Sequence, residues 1–195
     1  MSSQRLRHNP LWAPASAVLV AVLLASCSGG DATEPAATTS GQASTGASSS
    51  GQLLDRALKQ QAQGKTEQAK KDYEALLLQD PKNKYAFYNL GVIAQQAGDD
   101  ATAVMNYTKT LNVDPAFNPA LFNLAILTDK KGDTGQAVDL YRRAVEANPK
   151  DAGAHFNLGL LLQRLGKTEE SVKEINAAIK LDPKFKKRVP APTPS

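Results

Sequence analysis

Catalysis needs a positioned nucleophile, base or metal, and this chain of 195 residues offers few candidates. It has one cysteine, Cys27, and two histidines, His8 and His155. A lone cysteine makes no intramolecular disulfide, and two histidines without further cysteines lack the spacing of a zinc site. His155 falls in one column with Phe87 and Leu121, large residues repeated at a constant interval, so it reads as packed core rather than as a base. The sequence contains no glycine-rich phosphate loop and no paired-carboxylate signature. No catalytic residue, cofactor or metal is therefore expected, and the chain reads as a non-enzyme. Hydrophobic residues make up 42% and charged residues 22%, close to globular averages. The net charge of +4 is too small for the concentrated basic face of a nucleic-acid binder, so no nucleic-acid partner is expected.

Cys27 takes its meaning from what precedes it. Met1–Pro10 carries Arg5 and Arg7 and no acidic residue, and 13–25 reads APASAVLVAVLLA. This stretch of about thirteen weakly or strongly apolar residues falls short of the ~20 that span a bilayer. Behind a basic start and ahead of small residues, it matches the apolar core of a secretory signal. Leu24-Ala25-Ser26-Cys27 resembles the lipobox of bacterial lipoproteins: an aliphatic residue, two small residues, then the cysteine. That resemblance implies a diacylglyceryl group on the Cys27 sulfur, cleavage just before it, and a lipid-anchored protein on the extracytoplasmic face of a bacterial membrane. The alternatives are a retained signal anchor, or an ordinary cleavage site beside an incidental cysteine. Removing residues 1–26 would leave a net charge of +2, because Arg5 and Arg7 leave with them.

Residues 28–50, SGGDATEPAATTSGQASTGASSS, contain no aromatic and no Val, Ile or Leu. Such a segment buries no core and reads as a disordered tether running from Cys27 to Ser50.

The remainder repeats. Pro81, Pro115, Pro149 and Pro183 share one interval of 34, and so do Gly64, Gly98, Gly132 and Gly166. The same register holds Ala57, Gly91, Ala125 and Gly159; Ala69, Ala103, Ala137 and Ser171; and Tyr73, Tyr107, Tyr141 and Ile175. Within one copy, Phe87, Leu90, Gly91 and Ala94 follow the i, i+3, i+4, i+7 spacing of a helical face. Gly98 is placed to stop that helix in the left-handed conformation. Asp100, with Thr66, Thr134 and Thr168 as its equivalents, is placed to cap a second helix, and Asp114-Pro115 ends it. Gly91 and Ala103 would let the two helices approach closely.

This pattern of large, small and turn residues resembles the tetratricopeptide repeat family. The resemblance covers four units, 50–83, 84–117, 118–151 and 152–185. It implies an all-α, right-handed superhelix of four helix–turn–helix repeats over 51–185, followed by a disordered tail at 186–195. Arg56 departs from the pattern where the other copies carry Leu90, Leu124 and Leu158, as suits an end repeat that meets water. Gly135, in the first turn of a helix, is a local weakness.

The resemblance also implies a concave groove lined by the first helix of each repeat. Its face would hold Tyr85, Tyr88, Asn89 and Val92; Phe122, Asn123 and Ile126; Phe156, Asn157 and Leu160; with Lys130 and Arg164 lower on the same helices. The asparagines are expected to form a ladder able to donate to and accept from an extended peptide backbone. The aliphatics serve either packing between helices or an apolar groove. The carboxylate clamp of some chaperone-binding relatives is not expected, since its first-helix positions carry Leu54 and Leu58 here.

The implied function is a membrane-anchored interaction module that binds a protein or peptide segment at the cell envelope. The alternative is a structural assembly factor for envelope or secretion machinery. The last repeat is expected to be uncapped, so that a homo-oligomer through that end is plausible.

Overall fold

The computed structural model describes residues 45–189. These residues belong to one compact unit. The signal region, Cys27 and most of the tether lie outside the described residues.

Eight α-helices occupy the described residues: α1 (Thr45–Ala62), α2 (Thr66–Gln79), α3 (Lys84–Gln96), α4 (Asp100–Val113), α5 (Asn118–Lys131), α6 (Thr134–Ala147), α7 (Ala152–Arg164) and α8 (Thr168–Leu181). A short 3-10 helix, Pro183–Arg188, follows. Each odd helix packs chiefly on the next even one, and each even helix packs on the first helix of the following pair. Two boundaries differ from expectation. Helix α1 begins inside the segment read as tether, and the tail is helical as far as Arg188.

The turn inside each repeat has one design. Gly64, Gly98, Gly132 and Gly166 have φ of 72°, 80°, 99° and 74°, a region that side chains with a Cβ rarely adopt. In the second repeat the Gly98 N–H donates to the Gln95 carbonyl (3.1 Å) and the Asp99 N–H to the Ala94 carbonyl (2.9 Å). This is the paired closure of a Schellman motif. It corrects the expected cap. The residue after the glycine closes the first helix and is also the N-cap of the second, so Asp100, Thr66, Thr134 and Thr168 are already helical. Asp99 does the capping, accepting from the Thr102 N–H at 3.0 Å. Bonds from Thr102 hold the Asp99 carboxyl below the ordinary carboxylate range.

The turn between repeats is equally regular. Asp80, Asp114, Asn148 and Asp182 each precede a proline and hold non-helical backbone angles, with φ between −130° and −141°. Each side-chain oxygen accepts the N–H two residues on, at 3.3, 3.1, 3.2 and 3.0 Å. The fourth of these turns leads not into a ninth α-helix but into the 3-10 helix.

That 3-10 helix corrects the expectation of an uncapped end. Phe185 lies against Phe156 with ring centroids 4.6 Å apart, and the Arg188 guanidinium sits over both rings at 5.2 and 5.3 Å. Two repeats earlier in register, Phe117 packs on Tyr88 at 5.3 Å. The contact thus repeats, at Phe185, the aromatic packing that Phe117 makes at the end of the second repeat. Ile175 is buried and Ile179 half-buried, while Val172 is exposed.

The core follows the small-residue columns. Ala57, Ala69, Ala103, Ala125 and Ala137 are fully buried, and Tyr73, Tyr107 and Tyr141 fill the space between paired helices. Arg56 meets water while forking onto Asp72 with two bonds of 2.6 Å. Gly135 has open space where a Cβ would stand. Gly135→Ala is therefore expected to raise stability by up to about 1 kcal/mol through helix propensity alone, read as a later midpoint in urea with an unchanged slope.

Candidate interaction groove

The face expected to form the groove is carried by α3, α5 and α7, and its side chains differ sharply in availability. Tyr85 is the most open, at 47% exposure. Its ring meets the edge of Phe117 at 5.9 Å, and the Lys84 ammonium lies 5.3 Å from its centroid. Lys84 in turn bonds Asp114 at 2.7 Å. Tyr85 also breaks the repeat, since Gly51, Pro119 and Gly153 occupy its equivalent positions.

Tyr88 and Phe122 are half-buried. Tyr88 sits between Tyr107 and Phe117, with centroids at 5.9 and 5.3 Å, and Phe122 meets Tyr141 edge-on at 5.6 Å. Val92 is buried, while Ile126 and Leu160 are half-buried. Phe156 is only 2% exposed, because Phe185 and Arg188 cover it. Val92 and Phe156 are thus packing residues in this structure.

The asparagine column is tied into the fold. The Asn123 amide donates to the hydroxyls of Tyr107 (3.3 Å) and Tyr88 (3.4 Å), and Tyr107 donates to Gln95 Oε1 at 2.6 Å. The Asn157 amide donates to the Tyr141 hydroxyl at 3.1 Å, and Asn89 donates to the Tyr85 carbonyl at 2.8 Å. A buried hydroxyl left without a partner is costly, so a first-helix amide set against the preceding tyrosine answers a need of the core. Burial pushes the Tyr73, Tyr107 and Tyr141 hydroxyls far above the ordinary phenol range.

The two basic groove residues are also engaged. Lys130 pairs with Asp100 of the preceding repeat. Arg164 pairs with Asp129 and bonds the Thr134 hydroxyl at 3.2 Å. Both keep about half of their side chains in water and clip neighbouring repeats together.

His155 is buried with both ring nitrogens placed, Nδ1 at 2.6 Å from Glu174 Oε2 and Nε2 at 3.2 Å from the Pro149 carbonyl. It holds the start of α7 to α8. Among the described residues no group of three or more His, Cys, Asp or Glu could hold a metal. No described helix is long and apolar enough to cross a membrane.

Repeated hairpins with this register have a counterpart among known families: the family model described as Tetratricopeptide repeat matches residues 54–107 and 122–184, more than half of the chain. The chain belongs to the tetratricopeptide repeat family. Its fold is the all-α, right-handed superhelix of four helix–turn–helix repeats. Solved tetratricopeptide structures agree. A crystal structure of MamA is 23% identical, with a TM-score of 0.58 over 65% of this chain and 74% of that one. MamA residues 41-end from Desulfovibrio magneticus RS-1 give 21% and 0.61, covering 70% and 79%. A tetratricopeptide repeat protein from Parabacteroides merdae gives 23% and 0.61, covering 70% of this chain and 55% of its own. At such identities the likeness establishes fold. No curated protein sequence matches the chain.

As a tetratricopeptide protein, the chain is a scaffold of the kind that mediates protein–protein interaction. Two contributors to its groove are not evident from the groove columns alone. Phe117 and Phe185 lie in turns and pack against Tyr85, Tyr88 and Phe156. Phe117 and Phe185 share one register with Asn83 and Asp151, so an aromatic where other copies carry a polar cap was their signal.

Proposed function

We propose that this protein is a lipid-anchored interaction module of the bacterial cell envelope, holding a peptide segment of another protein along its first helices. The observation that carries the binding half is Tyr85. An aromatic side chain stands half in water at a position where the other repeats carry glycine or proline, and the neighbouring Tyr88 and Phe122 are only half-buried. Although its ring meets Phe117 and Lys84, Tyr85 keeps 47% of its surface in water, and tyrosine is among the residues that dominate binding surfaces. Toward the other end of the same first helices Gln96, Lys130, Gln163 and Arg164 remain exposed and supply polar contacts. The ion pairs of Lys130 and Arg164 mean that a ligand carboxylate would have to share them with Asp100 and Asp129.

A photo-reactive residue at Tyr85, compared with one at exposed Met105 on α4, tests the groove in native membranes. Capture of a protein from position 85 but not 105 is expected. Capture from 105 alone removes the groove from the reading.

The anchoring half rests on Leu24-Ala25-Ser26-Cys27 following a short apolar stretch. Cys27→Ala is expected to move the protein from the detergent phase into the aqueous phase or an uncleaved precursor pool. Unchanged detergent partitioning with normal processing sinks the lipoprotein assignment.

A further inference from the structure

Charge is distributed unevenly over the described residues. Across 45–179, sixteen Lys and Arg balance sixteen Asp and Glu. The next nine residues hold Lys180, Lys184, Lys186, Lys187 and Arg188 against Asp182 alone. The entire positive excess of the folded unit therefore sits at its last turn.

This segment is folded rather than trailing. Asp182 caps the 3-10 helix by accepting the Lys184 N–H at 3.0 Å, and Phe185 and Arg188 pin the turn onto Phe156. Lys184, Lys186 and Lys187 are exposed, and none has an ion-pair partner among the described residues. Aliphatic side chains flank them: Leu181 at 41% exposure on one side and Val189 at 36% on the other. Cations on an ordered turn lose little freedom on binding, which favours a surface contact.

Clustered lysines bracketed by open aliphatics match the chemistry of an anionic bilayer surface. Headgroups attract the ammoniums, and short apolar side chains enter the interfacial layer. We propose that Lys180–Val189 docks on anionic phospholipid headgroups, giving the protein a second membrane contact besides its N-terminal anchor. The biological setting rests on the envelope reading above; the surface chemistry does not.

The test uses the full chain carrying Cys27→Ser, so that no acyl chain contributes. It is mixed with vesicles of phosphatidylcholine alone, or with vesicles holding one-third phosphatidylglycerol, at low ionic strength. Binding to the anionic vesicles is expected to exceed binding to neutral ones, and to fall with salt as screening shortens the field. Lys184→Gln, Lys186→Gln and Lys187→Gln together are expected to weaken anionic binding roughly a hundredfold. The matching Lys→Arg triple variant should retain it. The N-terminal apolar stretch contributes equally in every arm. Equal binding of the Gln and wild-type chains to anionic vesicles overturns the proposal, as does wild-type binding indifferent to lipid charge. Retained helicity and melting temperature in the Gln variant separate lost contact from lost folding. Failure here with Cys27-dependent anchoring intact would remove the second contact alone.

Discussion

Tyr107→Ala is expected to lower the unfolding free energy by about 3–5 kcal/mol, the range for removing a large aromatic from a packed core. Tyr107 is fully buried, and its ring fills the space left by Gly91, where a Cβ would stand 2.7 Å from Cε1. It also joins repeats. Its hydroxyl donates to Gln95 of its own repeat and accepts from Asn123 of the next, and its ring leans on Tyr88. Truncation therefore opens a void, strands the Gln95 side-chain oxygen and removes one of the two hydroxyls that Asn123 bonds. Tyr107→Phe isolates the polar share, expected at about 1–2 kcal/mol because two partners lose one hydroxyl. Denaturant midpoints of the two variants measure both. If phenylalanine proves as damaging as alanine, the hydrogen bonds rather than the ring volume hold this junction. If alanine costs under 1 kcal/mol, α3 and α4 close over the site and the junction is not rigid.

This residue also shows why the fold was legible and the groove only partly so. The tyrosine column was visible at its interval of 34, because filling the gap between paired helices is a local demand that recurs in every copy. The same holds for the positive-φ glycines. What an asparagine does 16 residues after such a tyrosine depends on side-chain rotation across two repeats. Asn123 and Asn157 turn to tyrosine hydroxyls, whereas Asn89 turns to the Tyr85 carbonyl. Identical spacing thus produced different partners. The cap register slipped by one residue because the Schellman closure fixes Asp99 in two roles, a backbone constraint invisible in residue types. Phe185 was in the sequence register throughout. It closed the fourth unit with no amphipathic helix following, and only the structure shows that it stacks on Phe156 as a cover. Position 85 is the converse: a departure from the period whose ring meets Phe117 yet stays half in water, and so the best pointer to binding.

Gly159→Ala is expected to destabilise by about 1–2 kcal/mol, an overpacking cost of up to ~3 kcal/mol less the ~1 kcal/mol by which alanine is intrinsically better than glycine inside a helix. The reason is the distance between α7 and α8. A Cβ on Gly159 would lie 2.6 Å from Ile175 Cγ1, 3.1 Å from the Ile175 backbone N and 3.2 Å from the Ser171 carbonyl. A side chain can rotate away from such a contact, but the backbone of a packed helix moves only as a unit, and that overpacking outweighs the propensity gain. Gly91 makes the comparison informative. Its close neighbours are Tyr107 ring atoms alone, so Gly91→Ala asks a ring to tilt rather than a helix to shift, and a smaller loss is expected. Ala57 and Ala125 fill the same column in repeats one and three, so the column accepts a methyl group wherever the helix pair is slightly wider. Urea denaturation of Gly159→Ala beside the exposed control Gly135→Ala should give opposite signs. A neutral or stabilising Gly159→Ala would place α8 farther from α7 than these distances allow.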